Sequence, residues 1–500
     1  MNALLKAPGV RYRRAAAPFL RPRHGQIMIF HTVSYFLLLT LSVSLYFAMP
    51  HRGRWVVLLA ASYWFYGSWR IDYLGLLILS TTIDYLCGLG LGRHERPAVR
   101  RAILATSLTA NLGILCYFKY RLFFADMFGL VDAVGPSGAS IFADIILPVG
   151  LSFYTLQSMG YTIDVYRRLH DPERHPGYFA LYVAFFPQLV AGPIERSGHL
   201  LPQLRAPHRF DWDLFRIGGL LILFGLFKKL VVADNLSPVI GDFYAAPTAA
   251  SPAEAWTAFV LGLPFVYLDF SAYTDMARGS AMLLGIDLTH NFNRPYKATS
   301  IRDFWRRWHI SLSRWIHDYL YRPLVGCSGA AWWRNATYLI VFTLIGLWHG
   351  PAWTFVVFGF CQGLLVIAER ACARLPLAWP EGRLWDLLRV VRTHFLFNLT
   401  FVAFLSPDLH TTWLALERLF AVFTEGLGDI ARTRELLTLP AVAGLLSVGL
   451  AHYLVDRYRI SLAWILTWPQ PLRWGFVYAA MIIVLALQTH RTATFVYFQF

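Results

Sequence analysis

Apolar runs recur along this chain from residue 28 to residue 488, and no polar stretch between them is long enough for a soluble catalytic domain. That alternation constrains the fold more than any single motif. In a bilayer core every backbone polar group must be satisfied inside the protein, so only helices and closed barrels cross it. A barrel needs segments of roughly 10 residues with alternating polarity. Here the runs are longer and uninterrupted, which predicts an all-α, polytopic membrane protein. Composition agrees: 57% of the 500 residues are hydrophobic and 15% are charged, against about 25% charged in soluble domains.

The segments able to cross or enter the bilayer are 28–49, 54–69, 71–91, 102–118, 139–163, 177–192, 213–233, 255–285, 335–348, 351–371, 390–406, 438–456 and 472–488. Several fall short of the ~20 residues a span needs, so the expectation is about 10–12 transmembrane or re-entrant helices. Pro148, Pro187, Pro193, Pro264 and Pro351 border or interrupt these runs. Broken helices are tolerated at membrane depth only where protein or water surrounds them.

The formal net charge is +16. Arg and Lys lie mostly between the apolar runs. They read as a positive-inside topology in contact with anionic lipid rather than as a nucleic-acid surface. Part of the excess could also steer an anionic donor. Residues 1–27 carry Lys6, Arg11, Arg13, Arg14, Arg21 and Arg23 and no acidic residue. They read as a basic cytoplasmic extension preceding one transmembrane domain, 28–500. They are not a signal peptide, because no small-residue cleavage site follows the next apolar run. Met28 opens that run and stands as an alternative start. The five cysteines (Cys87, Cys116, Cys327, Cys361, Cys372) form no CxxC pair and read as small apolar residues.

Two segments carry candidate chemistry. The first is Arg302 to Tyr321, RDFWRRWHISLSRWIHDYLY. Stepped as a helix over 304–319, it places Phe304, Trp305, Trp308, Leu312, Trp315, Ile316 and Tyr319 within an arc of about 120°. Arg306, Arg307, Arg314 and the two aspartates fill the other side, with His309 at the boundary. The pattern predicts an amphipathic helix at an interface or cavity. His309 reads there either as a functional group or as a surface or cavity histidine with a satisfied hydrogen bond. Asp303 and Arg307, spaced i,i+4, are expected to pair. Arg306 is a candidate for a donor phosphate, with solvent or lipid as the plainer contact.

The second is VFTLIGLWHGPAWTFVVFGF, in which His349 is the only ionisable side chain. Ionisable groups at membrane depth are costly and are functional candidates by default. A neutral imidazole there can take a proton from a hydroxyl. The alternative is a core histidine bridging two helices. Gly350-Pro351 should end the helix directly after it. The two histidines lack metal-ligand spacing, and no metal site is expected. No GxSxG elbow and no phosphate-cradling Gly-rich loop occurs. Asp269, Asp275 and Arg278 are expected to form structural pairs. Ser271 has no nearby histidine to activate it.

These residues resemble the membrane-bound O-acyltransferase (MBOAT) family. The resemblance is carried by FWRRWHISLSRWIHDYLY and GLWHGPAWTFVVFG, together with 147–167, 185–196, 224–237, 267–279 and the terminal FVYFQF at 495–500. It covers about residues 28–500 and is strongest to the bacterial polysaccharide branch, which includes the membrane subunit of alginate O-acetylation and, more distantly, the D-alanyl transfer protein of teichoic acids. Two stretches depart from that branch, Val325-Gly326-Cys327-Ser328-Gly329 and Phe404-Leu405-Ser406-Pro407.

The resemblance implies a funnel-like disc of helices with a central tunnel. It implies His349 as the catalytic residue and His309 as its partner on the cytoplasmic side. Trp305, Trp308, Trp348 and Arg306 would line the tunnel, the tryptophans excluding water. No resident cofactor is expected. The donor would be acetyl-CoA or an acyl-carrier thioester arriving from the cytoplasm. The acceptor would be a polysaccharide hydroxyl or a periplasmic SGNH-like partner, and the location the bacterial inner membrane. The rival readings are a transporter or flippase of an acyl or glycan carrier, and a non-catalytic scaffold of an export complex.

Overall fold

The computed structural model describes residues 28–129, 147–374, 380–489 and Phe495. Among them every regular element is helical. Seven helices are long and apolar enough to cross a membrane: Ile71–Arg93, Pro97–Met127, Pro252–Met282, Trp353–Cys372, Arg383–Leu405, Leu439–Tyr458 and Gln470–Leu487. Val33–Ala48 is a shorter apolar helix. The protein is thus an all-α, multi-pass membrane protein. The expectations for residues 1–27 lie outside the described residues.

Several of the shorter apolar runs are buried in protein. The run at 177–192 forms the helix Pro176–Ala184, and irregular chain follows it. Phe185, Phe186 and Ala191 are fully buried there. Its backbone is satisfied by side chains of neighbouring helices, as non-helical chain at this depth requires. Gln157 and Gln188 donate to the Tyr182 carbonyl at 2.5 and 2.9 Å, and the Phe186 N–H donates to Ser62 Oγ at 3.1 Å. Pro264, expected to interrupt a run, sits inside the 31-residue helix Pro252–Met282.

Two buried lysines pair with carboxylates. Lys229 bridges Asp234 and Asp269, each at 2.8 Å, and Lys228 reaches Asp275 at 2.6 Å and Ser271 Oγ at 2.8 Å. Arg278 turns instead to the Leu288 carbonyl and His290. The five cysteines are all free thiols.

Loop contacts define two ends. At one, Arg54 donates to the His208 carbonyl, Arg205 pairs with Glu173, Gln203 donates to the Asp287 carbonyl, and Glu369 accepts from the Ile301 N–H. Arg302, Arg306, Arg314, Arg167 and Arg196 cluster at this end. At the other, Trp256 donates to the Leu419 carbonyl, Arg432 pairs with Glu254, and Arg418 pairs with Glu425. The first end is strongly basic and the second is mixed.

Candidate active site

The 304–319 stretch is not one helix. Ile301–Arg307 and Ile310–Ile316 are separate, joined by Trp308 and by His309 in the left-handed region at φ 42°. The cause lies upstream. The Asn291 carbonyl takes the Ile310 N–H at 2.9 Å, and its Oδ1 takes the Ser311 N–H at 3.2 Å and the Ser311 hydroxyl at 2.6 Å. The Asn293 N–H donates to the Arg307 carbonyl at 2.9 Å. These bonds replace the helical ones that a straight run would have made. A non-glycine residue holds such a conformation only when its surroundings over-determine it. The consequence is that His309 is fully buried rather than at a boundary. Asp303 and Arg307 do pair, at 3.0 Å.

His349 is the last residue of the helix Ala331–His349, which Gly350 ends in extended backbone. A Cβ on Gly350 would lie 2.1 Å from the Phe355 ring, so only glycine fits this exit. The helix packs closely against Trp353–Cys372. A Cβ on Gly346 would meet the Phe355 carbonyl oxygen at 2.1 Å, and one on Gly359 the Phe342 carbonyl oxygen at 2.2 Å. Such close backbone approach between small residues is how membrane helices gain packing without a hydrophobic driving force. It fixes His349 at the head of a rigid hairpin. The helix is about 28 Å long at 1.5 Å per residue, so the imidazole sits far from the basic end where the helix begins.

The two histidines share an aromatic enclosure. The His309 ring lies 4.8 Å from Phe270, 6.1 Å from Phe153 and 6.0 Å from Trp348, between centroids. The His349 ring lies 5.2 Å from Trp348 and 5.3 Å from Phe404. Trp348 is therefore a ring common to both. Of the terminal FVYFQF only Phe495 is described, and it packs on Phe270 and Tyr273.

A cleft of 620 Å³ at the basic end is lined by Arg302, Trp305, Arg306, Arg314, His317 and Ile345. Ile345 lies about one turn before Trp348 on the same helix. A second pocket of 50 Å³ is lined by Lys119, Gly150, Ser152, Phe153, Trp348 and His349. Of the residues expected at the site, His309, His349 and Trp348 are brought together, and Trp305 and Arg306 line the cleft. Trp308 instead packs among Phe292, Phe304 and Tyr267.

Three residues at the site were not foreseen as members. Asn291 carries the kink, and nothing in its local sequence marks it. Phe404 faces His349 from within one of the two stretches that depart from the bacterial branch. Lys119 follows the apolar run 102–118 directly, and a cation between that run and Leu122-Phe123-Phe124 was a usable signal. Its Nζ donates to the Trp348 carbonyl at 2.6 Å and the His349 carbonyl at 3.1 Å, and the Tyr120 hydroxyl donates to the Leu347 carbonyl at 2.9 Å.

Comparison with known proteins gives the family. Residues 174–377, which include both histidines, match the model of the membrane-bound O-acyltransferase family. The chain is 36% identical over 436 residues to "Probable alginate O-acetylase AlgI" of Azotobacter vinelandii, covering 87% of this chain and 85% of that protein. It is 34% identical over 391 residues to the peptidoglycan O-acetyltransferase of Helicobacter pylori, covering 71% of each chain. The teichoic acid D-alanyltransferase of Bacillus subtilis is more distant, at 25% over 303 residues, 53% of this chain and 71% of that protein. These relatives define a class of membrane-embedded acyl-transfer enzymes, and the chain belongs to the membrane-bound O-acyltransferase family. It is an O-acyltransferase.

Proposed function

We propose that this protein moves an acetyl group from a thioester donor at its basic end to an acceptor hydroxyl reaching His349 from the other side. What chiefly supports the reading is the pairing of His309 and His349 around one tryptophan, between a basic cleft and a small pocket that His349 lines. By the positive-inside rule the basic end faces the cytoplasm of a bacterial inner membrane. Arg302, Arg306 and Arg314 in the cleft suit the phosphates of coenzyme A or of an acyl carrier's prosthetic arm. The donor enters the reaction as a substrate.

His349 accepts the acceptor's hydroxyl proton as the alkoxide oxygen attacks the thioester carbonyl. The tetrahedral intermediate expels the thiolate, which takes the proton back from the imidazole. His309 orients the donor and relays the proton. The aromatic enclosure excludes water and so limits thioester hydrolysis. The relatives named for alginate and for peptidoglycan O-acetylation support a polysaccharide acceptor, reached directly or through a periplasmic SGNH-like partner.

The test compares O-acetyl content of the cell's exported polysaccharide, by mass analysis, in a strain carrying the wild-type chain and one carrying His349→Ala. The expected result is loss of the acetyl mass increments in the variant. Unchanged acetylation with membrane levels of the two proteins equal would refute the reading.

A further inference from the structure

The geometry points to Lys119 as an electrostatic residue of the reaction centre, positioned to stabilise the oxyanion of the acyl-transfer intermediate. The inference rests on the acyl-transfer reading. A helix ends in unsatisfied carbonyls and carries a partial negative charge there. His349 is the terminal residue of its helix, so its imidazole stands at the negative pole. An oxyanion forming beside it would be repelled unless that pole were countered.

Lys119 counters it. The residue is buried, on a π-helical turn at Cys116–Tyr120, inside the membrane-spanning segment Pro97–Met127. Such turns are rare and occur frequently at functional sites. Its ammonium has three donors. Two reach the Trp348 and His349 carbonyls at 2.6 and 3.1 Å. The third donates to Ser152 Oγ over 3.5 Å, the longest and weakest of the three bonds, and both residues line the 50 Å³ pocket that His349 also lines, so a substrate oxygen there can take this donor over. The site's own polar groups add to this. Trp348 lines the same pocket, and its buried indole N–H meets no acceptor among the described residues. A buried donor without an acceptor is costly, and a substrate oxygen in the pocket would satisfy it.

The step balances. The acceptor oxygen gives its proton to His349 and bonds to the thioester carbon. The carbonyl π electrons move to oxygen, where the Lys119 ammonium and the Trp348 N–H hold them. They return as the carbon–sulfur bond breaks, and the thiolate leaves with the proton from His349.

The experiment uses the full chain in lipid nanodiscs with acetyl-CoA as donor and an unacetylated alginate oligosaccharide as the hydroxyl acceptor, reading free thiol released. Lys119→Met keeps the side chain's length without its charge. The expected result is a fall in kcat of about 10²–10³-fold, the range for removing one oxyanion donor. KM should stay within about threefold and the unfolding midpoint close to wild type. In Lys119→Ala, added ethylammonium should restore turnover in proportion to its concentration, which a purely structural lysine would not show. Wild-type kcat in Lys119→Met, or no rescue of a folded Lys119→Ala, would overturn the proposal. If neither variant folds, Lys119→Arg decides. It keeps a cation on the two carbonyls but moves the charge centre off the pocket, so a fall in kcat supports the proposal and full turnover overturns it. A parallel His349→Ala sample separates the two readings. Turnover surviving there removes the acyl-transfer mechanism itself, whereas turnover lost there and kept in Lys119→Met removes only the role of Lys119.

Discussion

Replacing Asn291 with alanine should unlatch the kink that buries His309. Asn291 is itself buried, and its Oδ1 accepts from the Ser311 N–H and hydroxyl at 3.2 and 2.6 Å. Truncation leaves both Ser311 donors inside protein without that acceptor. Each buried donor so orphaned costs about 1–3 kcal/mol. The hydroxyl can rotate toward a new partner, so the lower part of the range applies and the expected loss is about 2–4 kcal/mol. The His309 backbone adds to the effect, since its left-handed conformation costs roughly 1–2 kcal/mol and persists only while neighbours enforce it. Released, the 301–316 stretch can rewind toward one straight helix and withdraw the imidazole from Trp348. Denaturation in mixed micelles, followed by tryptophan fluorescence, reads the stability, and thioester turnover reads the site. Turnover should fall further than stability alone accounts for. A loss under about 0.5 kcal/mol with turnover intact would show that Asn291 does not hold the kink.

Two further outcomes follow from other parts of the molecule. His199 donates from Nδ1 to the Glu195 carboxylate over 2.8 Å, and this hydrogen bond raises its pKa above the ordinary 6.5. Its contribution to stability is therefore complete below pH 6.5 and is lost as pH rises through the raised value. Because Glu195 also takes the Thr289 N–H and hydroxyl, the unfolding midpoint should decline over that window in wild type and flatten in His199→Gln. Arg306→Gln in the basic cleft should raise KM for acetyl-CoA several-fold at low ionic strength, with the difference from wild type shrinking as salt is added. A salt-independent KM would remove the phosphate role.

Much of the architecture was readable in the order of residues because membrane depth leaves few options. Uninterrupted apolar runs became helices, the Gly350-Pro351 pair ended the helix after His349, and Asp303 found Arg307 four residues on. These are local rules acting within a turn or two. The kink at His309 was not readable, because the acceptor that creates it, Asn291, lies 20 residues before Ser311 and acts through a loop. The periodicity over 304–319 argued for a continuous helix, and tertiary hydrogen bonds overrode it. The contact of Lys119 with His349 spans 230 residues, and no spacing rule reaches that far. Phe404 marks the same limit. Its segment stood out as a departure from the bacterial branch, but only packing reveals that its ring faces the imidazole.

The account depends on His349 acting as a base at the end of its helix. The most direct measurement is single-turnover transfer from radiolabelled acetyl-CoA to an unacetylated alginate oligosaccharide by the purified full chain in nanodiscs, comparing wild type with His349→Ala and His349→Gln. Both variants should retain the wild-type unfolding midpoint to within a small margin and release thiol no faster than protein-free nanodiscs. Wild-type release of thiol by either variant would place the chemistry elsewhere in the membrane body and contradict the account.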